Sequence, residues 1–241
     1  MKDNRVLLVT GASSEMGRAL IRRICGNYSR IYAHYNSSAE SLEELREETG
    51  DRLFPVRADF ADVSSVEDLV ENIRREGILP DHIVHMVSPK LRLQKFKKTS
   101  PADFEEGIDI SLLSIVRILE AFLPDMAKRK YGKVVFMLSA DTIGTPPAFQ
   151  APYVTQKYAL LGLMNSLSAE YASYGVTVNG VSPDMTETRF LSEIPDTAVR
   201  LNAEKSPLHR NLTPGDVAPA FEYLLSDGAD AVTGVNLPVK L

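Results

Sequence analysis

The chain has 241 residues, 44% hydrophobic and 24% charged, a balance that excludes a disordered or fibrous polymer and allows one sizeable core. Its formal charge of −5 argues against a nucleic-acid binder, which carries a basic excess. The single cysteine, Cys25, excludes an internal disulfide and is read as a packing residue in a reducing compartment, and no apolar run is long enough to span a membrane.

The segment Met1-Lys2-Asp3-Asn4-Arg5 leads directly into a strand and shows no signal-peptide pattern, so a cytoplasmic protein is expected. Residues 6–9 are a continuous apolar run, the pattern of a strand buried on both faces. A helix follows over 16–24, a strand over 31–35, a charged helix over 41–48 and a third strand over 53–56. Ser64-Ser65-Val66-Glu67 has the form of a capping box and opens a helix that stops at Gly77. Residues 83–87 form a fourth strand, and one long helix is expected from about 101 to 128. A fifth strand covers 134–138, a helix about 152–174, and a sixth strand 176–181. Residues 184–207 follow no readable pattern. Thr213-Pro214-Gly215-Asp216 combines an N-cap, a proline at N1 and an acid at N3, so a helix starts there, and 235–239 close as a seventh strand.

Strict alternation of strand and helix implies an α/β fold: a Rossmann-type doubly wound parallel sheet of about seven strands, with helices on both faces. Nothing divides the chain, so residues 1–241 are read as one domain. In such sheets ligands bind outside the carboxyl ends of the strands.

After strand one comes Thr10-Gly11-Ala12-Ser13-Ser14-Glu15-Met16-Gly17, a small-residue turn that lets backbone approach a pyrophosphate at a helix N-terminus. Glu15 brings a side chain, and a charge, close to where that diphosphate would lie. The second signal is Tyr153-Val154-Thr155-Gln156-Lys157. On a helix, positions i and i+4 share a face, so a phenol and an ammonium meet there. A neighbouring cation favours phenolate and suits a proton donor to a carbonyl oxygen. The histidines build no metal site. His82 and His85 point to opposite faces of their strand, His34 and His209 lie far off in sequence, and His85 is read as a satisfied polar residue near the site. Five cations and no acid fall between Lys90 and Lys98, and Lys128-Arg129-Lys130 makes a second basic cluster. Each is either a solvated face or a dock for an acidic partner.

These motifs together resemble the short-chain dehydrogenase/reductase family over nearly the whole chain. Gly11 and Gly17 match the first and last glycines of its Thr-Gly-x3-Gly-x-Gly loop, and Glu15 replaces the middle one. Tyr153 and Lys157 match its Tyr-x3-Lys, and Asn179 to Asp184 its Val-Asn-x3-Pro-Gly stretch, with Asp184 in place of glycine. The family's usual serine-to-tyrosine interval would select Ala140; counting along strand five selects Ser139, with Pro146-Pro147 a place for the extra residue. The tetrad asparagine aligns with Ser111, and Asn-Asn-Ala-Gly after strand four is here His85-Met86-Val87-Ser88. The Asp-Gly-Gly tail is absent.

The resemblance implies catalytic roles for Ser139, Tyr153, Lys157 and Ser111. It implies cofactor contacts from Gly11, Ser13, Ser14, Met16, Gly17, Tyr35, Asn36, Asp59, Phe60, Val87, Tyr153, Lys157, Pro183 and Thr188. Tyr35-Asn36 carries no carboxylate to repel a 2′-phosphate, so NADP(H) is expected over NAD(H), although Ser14 stands where NADP users often carry a cation. The nearest relatives implied are 3-oxoacyl-[acyl-carrier-protein] reductases. They suggest a ketone or 3-oxoacyl substrate delivered on an acyl carrier protein. A homodimer or homotetramer is expected, packed through Leu112, Leu113, Ile115, Val116 and Leu119 and through Leu160, Leu161, Leu163, Met164 and Leu167. Two alternatives stay open: a small alcohol or sugar dehydrogenase of the same family, and a catalytically idle nucleotide-binding or assembly subunit.

Overall fold

The computed structural model describes residues 4–241; Met1, Lys2 and Asp3, including the expected leader-free start, lie outside the described residues. Seven parallel strands form one sheet in the order β3-β2-β1-β4-β5-β6-β7. In chain order they are β1 (Val6–Thr10), β2 (Arg30–Tyr35), β3 (Leu53–Arg57), β4 (His82–His85), β5 (Gly132–Met137), β6 (Val176–Pro183) and β7 (Asn236–Val239). The helices are α1 (Glu15–Ile24), α2 (Glu40–Thr49), α3 (Val63–Glu76), α4 (Pro101–Gly107), α5 (Ser114–Arg129), α6 (Ala151–Tyr171), α7 (Asp196–Lys205) and α8 (Pro214–Leu225). Among the described residues no helix is long and apolar enough to cross a membrane.

Alternate residues of each strand face opposite layers. Leu8, Ile83, Val134 and Val178 pack with Val66 and Ile73 of α3, Phe122 of α5 and Leu160 of α6. Leu7, Val9, Val84 and Val135 pack with Leu20 and Ile21 of α1, Leu45 of α2 and Phe221 of α8. Burial on both faces is why β1 reads as an unbroken apolar run. Ile115, Leu119, Leu160 and Met164 belong to this inner core and are not available to a second subunit. Leu112, Leu113, Val116, Leu161, Leu163 and Leu167 remain partly exposed.

The structure refines the sequence reading at three places. The cap of α3 is Asp62, whose carboxylate accepts from the Ser64 amide, so the helix starts before the Ser64–Glu67 box. The long helix expected after β4 is present from 101 to 129, but its middle, Ile108–Leu113, is π-helical and separates α4 from α5. Residues 196–205, without a readable pattern, form α7. The box at Thr213 and Asp216 is present as expected, with both reciprocal bonds made.

The strand order reverses between β1 and β4, where Thr10 and His85 lie in register. This switch point is where an open parallel sheet binds its ligand.

Candidate active site

The turn after β1 is built for close approach. Gly11 has φ +76°, and a Cβ on Gly17 would lie 2.6 Å from the Ala12 Cα and the Gly11 carbonyl oxygen, so only glycine fits either place. Ser14 caps α1, its hydroxyl accepting from the Gly17 amide at 3.0 Å and donating to the Gly11 carbonyl at 2.7 Å. Met16 packs into the core, and Ser13 accepts from the Ser41 hydroxyl at 3.3 Å. First-turn amides of α1 lie beside this glycine cradle, the arrangement that suits a diphosphate. The Glu15 carboxylate turns instead to the far side of the cleft and accepts from the Arg189 backbone amide at 2.7 Å.

Two buried histidines support the turn. His34 Nδ1 accepts from the Gly11 amide at 3.0 Å, and its Nε2 donates to the Ala58 carbonyl at 3.0 Å. His85 Nε2 donates to the Ser111 carbonyl at 2.8 Å, so its Nδ1 accepts from the Thr10 hydroxyl at 2.7 Å. Burial drops the His34 imidazole to about 4 and that of His85 to about 3, so both stay neutral. Phe60, expected beside the cofactor, is 5% exposed, and its ring stacks on His34 at 4.0 Å and supports it. Asp59 caps its own turn through the Ala61 amide.

At the carboxyl end of β5, Ser139 is buried and caps a short turn, its hydroxyl accepting from the Asp141 amide at 3.2 Å. Tyr153 and Lys157 project from the first turns of α6. Lys157 Nζ lies 5.6 Å from the Tyr153 ring centroid and donates to the Met137 carbonyl at 2.9 Å. Burial lowers the Lys157 ammonium to about 8. Burial lifts the Tyr153 phenol above its ordinary value; the Ser139 hydroxyl draws it back and Asp141 adds to the lift. The lowering of Tyr153 expected from Lys157 is not found: burial dominates and the one lowering influence is the Ser139 hydroxyl.

Ser111 lies in the π stretch and is buried, its hydroxyl donating to Gln156 Oε1 at 3.2 Å, while Gln156 Nε2 donates to the Ser88 hydroxyl at 2.9 Å. A Cβ on Gly107 would meet Gln156 Oε1 at 2.6 Å, so the glycine makes room for this bridge. Val87 packs against Gly11, and Pro183 ends β6. Thr188 caps the turn Arg189–Leu191, whose Phe190 ring stands 5.7 Å from that of Tyr153.

Four participants escaped the sequence reading. Gln156 was hidden as a filler inside Tyr-x3-Lys, and His34 as one polar residue in an apolar strand. Arg57 pairs in register with Tyr35 and donates from Nε to the Asn36 carbonyl at 3.2 Å, bringing a cation to the end of β2. Asp141 comes close enough to the site to lift Tyr153; its own carboxyl is raised by burial, drawn down by the Ser139 hydroxyl and raised again by Asp184. Among the described residues no group of three or more His, Cys, Asp or Glu could hold a metal.

The two basic clusters do not share a surface. Lys97 and Lys98 follow β4 on the site's side of the sheet. Lys128 to Lys130 end α5 next to the start of β5, at the opposite edge, where Arg129 binds the Pro80 carbonyl and Asp81. Within the first cluster Arg92 is neutralised by Asp103 and Glu106.

The family model described as enoyl-(acyl carrier protein) reductase matches residues 11–240. Acetoacetyl-CoA reductase of Allochromatium vinosum is 29% identical over 240 residues, spanning 98% of this chain and 97% of its own. The 3-oxoacyl-[acyl-carrier-protein] reductase of Staphylococcus aureus is 26% identical over 244 residues, spanning 100% of this chain and 98% of its own. A crystal structure of 3-ketoacyl-(acyl-carrier-protein) reductase from Brucella melitensis complexed with NADH shares the fold, with a TM-score of 0.87 at 24% identity over 100% of this chain and 98% of that one.

Proposed function

This chain belongs to the short-chain dehydrogenase/reductase family, whose members use nicotinamide dinucleotides, and from that premise we propose that it reduces the ketone of a 3-oxoacyl thioester with NADPH. The observation that carries the reading is the convergence of Ser139, Tyr153 and Lys157 at the end of β5, beside a turn where only glycine fits at positions 11 and 17.

A nicotinamide dinucleotide held by the Gly11–Gly17 turn and Lys157 would supply hydride to the ketone carbon. The chain's own groups handle the oxygen and the proton. Tyr153 donates its phenolic proton to the carbonyl oxygen, and the raised phenol keeps that proton in place until the oxygen gains charge. The Ser139 hydroxyl holds the same oxygen. Lys157, anchored on the Met137 carbonyl, places a positive charge below the phenol and stabilises it as the proton leaves. The bridge Ser111–Gln156–Ser88 fixes the residue before Lys157 and so the pitch of the catalytic helix.

Arg57, the last residue of β3 and in register with Tyr35 at the end of β2, supports NADP(H): its guanidinium answers for the cation missing at Ser14. Relatives whose names specify acetoacetyl-CoA and 3-oxoacyl carrier substrates support the thioester. Lys97 and Lys98, exposed on the site's side, are the place where an acidic carrier protein docks. The partly exposed leucines of the π stretch and α6 are the surface through which a homo-oligomer would pack. One observation favours the alcohol or sugar reading: Asp141 beside Ser139, with Asp184 near, offers acceptors to a hydroxyl-rich substrate.

A panel of ketones decides between the readings, containing carrier-linked and coenzyme-A-linked 3-oxoacyl thioesters, short ketoesters and polyol-derived ketones, each with NADPH and NADH. Preference for the thioesters with NADPH supports the proposal, preference for polyol ketones replaces it, and no turnover with measured nucleotide binding makes the chain an idle binding subunit.

A further inference from the structure

The residue that departs from the family's glycine loop is also the one that reaches across the cleft. Glu15 is the first residue of α1, following the Ser14 cap. An acid suits that position, since the helix N-terminus is electropositive. Its carboxylate is nevertheless spent on another element. Oε2 accepts from the backbone amide of Arg189, 174 residues away, at 2.7 Å. A hydrogen bond of this kind, with an ionised acceptor, is among the stronger ones.

The segment it holds joins β6 to α7. That segment has one anchor near its start, where the Glu187 amide donates to the Leu212 carbonyl at 2.8 Å and the Leu212 amide to Met185 at 3.1 Å. The stretch beyond Thr188 then folds into a single tight turn, with the Leu191 amide on the Thr188 carbonyl at 3.0 Å and the Ser192 amide on that of Arg189 at 3.1 Å. Arg189 is the first residue of this turn and Phe190 the second; the Phe190 ring leans on Tyr153 at 5.7 Å, with the planes 47° apart. Beyond the turn the chain is held again by the buried Ile194, whose amide donates to the Leu191 carbonyl at 2.8 Å, so the Glu15 bond is the tie at the head of the turn and the Phe190 ring the contact with the site.

We infer that Glu15 is a positioning residue: it latches the Arg189 turn across the cleft from the glycine loop and so sets Phe190 over Tyr153. A glycine has no side chain to reach Arg189, which gives a physical reason for the departure. It also reverses the sign expected from charge alone. Instead of repelling a diphosphate, Glu15 keeps its charge on the opposite amide, and removing it loosens the cover over the site. The latch stands on geometry alone; only its effect on the reaction rests on the reductase reading.

Hydrogen exchange on the nucleotide-free full-length protein tests the latch independently of activity. Glu15→Ala should speed exchange of the Leu191 and Ser192 amides at least tenfold, whereas Glu15→Gln, which keeps the acceptor oxygen, should stay within threefold of wild type. Arg189→Pro removes the donor from the other side, in a position where proline suits the first residue of a turn. It should match Glu15→Ala at Ser192, and the double variant should add nothing further. In the enzyme assay Glu15→Ala should raise KM for the ketone severalfold with kcat less affected, and Glu15→Gln should restore KM. Unchanged exchange at Leu191 and Ser192 in both Glu15→Ala and Arg189→Pro overturns the latch. Faster exchange with KM unmoved in an active enzyme keeps the latch and overturns its role in positioning. If no ketone is turned over by wild type, the reductase reading fails while the exchange result still decides the latch.

Discussion

Lys157 and Met137 form the anchor of the reaction centre: the ammonium donates to the Met137 carbonyl at 2.9 Å and thereby faces the ring of Tyr153. The helix and the strand end are tied by a charge that burial has made easier to lose. Tyr153→Phe should therefore cost roughly 10²–10⁴ in kcat, the range for losing a general acid, while nucleotide affinity changes by no more than about twofold. Lys157→Ala should damage both turnover and nucleotide binding. Steady-state rates and nucleotide titration on the same preparations check this; full turnover by Tyr153→Phe removes the phenol from the mechanism.

The pH profile follows from the same lysine. Its value in the folded protein is about 8, below its ordinary value, so the ammonium is present below pH 8 and lost above it. The rate of reduction, kcat/KM, should hold steady up to about pH 8 and decline beyond, as the cation facing Tyr153 disappears. A profile still rising at about pH 9 contradicts the assignment.

Three buried histidines make stability depend on pH below about 6.5. His34, His82 and His85 are held neutral by burial, at about 4, about 3 and about 3. An unfolded histidine titrates near 6.5, so below that pH the unfolded chain binds protons that the folded chain refuses. Their contribution is complete above about pH 6.5 and falls as the pH drops toward the folded values, by about 1.4 kcal/mol per pH unit for each histidine. Urea midpoints compared at about pH 7.5 and about pH 5 should show the loss; equal midpoints refute it.

Arg57 decides the nucleotide if its guanidinium at Asn36 meets a 2′-phosphate. Arg57→Ala should weaken 2′,5′-ADP and NADPH by roughly tenfold, about the loss of one hydrogen bond to a charged group, and leave 5′-AMP and NADH within about twofold. Calorimetric titration with the two adenosine phosphates separates this from any effect on chemistry. Equal losses for both ligands return Arg57 to a structural role.

The carrier hypothesis has an internal control because the basic clusters lie at opposite edges of the sheet. Lys97→Glu with Lys98→Glu should slow association with a carrier-linked substrate by roughly tenfold at low salt, and raise its KM, without touching a carrier-free ketoester. Lys128→Glu with Lys130→Glu should leave both substrates unchanged. Equal effects from the two pairs reduce the result to net charge.

Much of this protein was legible in one dimension. Short apolar runs alternating with amphipathic stretches mark the β-α order, β1 being unbroken because both its faces are buried, and glycine at 11 and 17 is demanded by the local backbone, so the order of elements and the glycine turn followed from local chemistry. Tyr153 and Lys157 share a helix face four residues apart and needed no tertiary knowledge. What tertiary structure alone decided depends on residues far apart in sequence. Glu15 meets Arg189, His34 the amide of Gly11, His85 the carbonyl of Ser111, and Arg57 that of Asn36. The π stretch at Ile108–Leu113 and the fate of the lysine clusters belong with these. A periodic pattern reports only which face of an element is apolar. The partner of a polar group is set by which strand ends the parallel sheet brings side by side, and by burial, which forces each such group to find one.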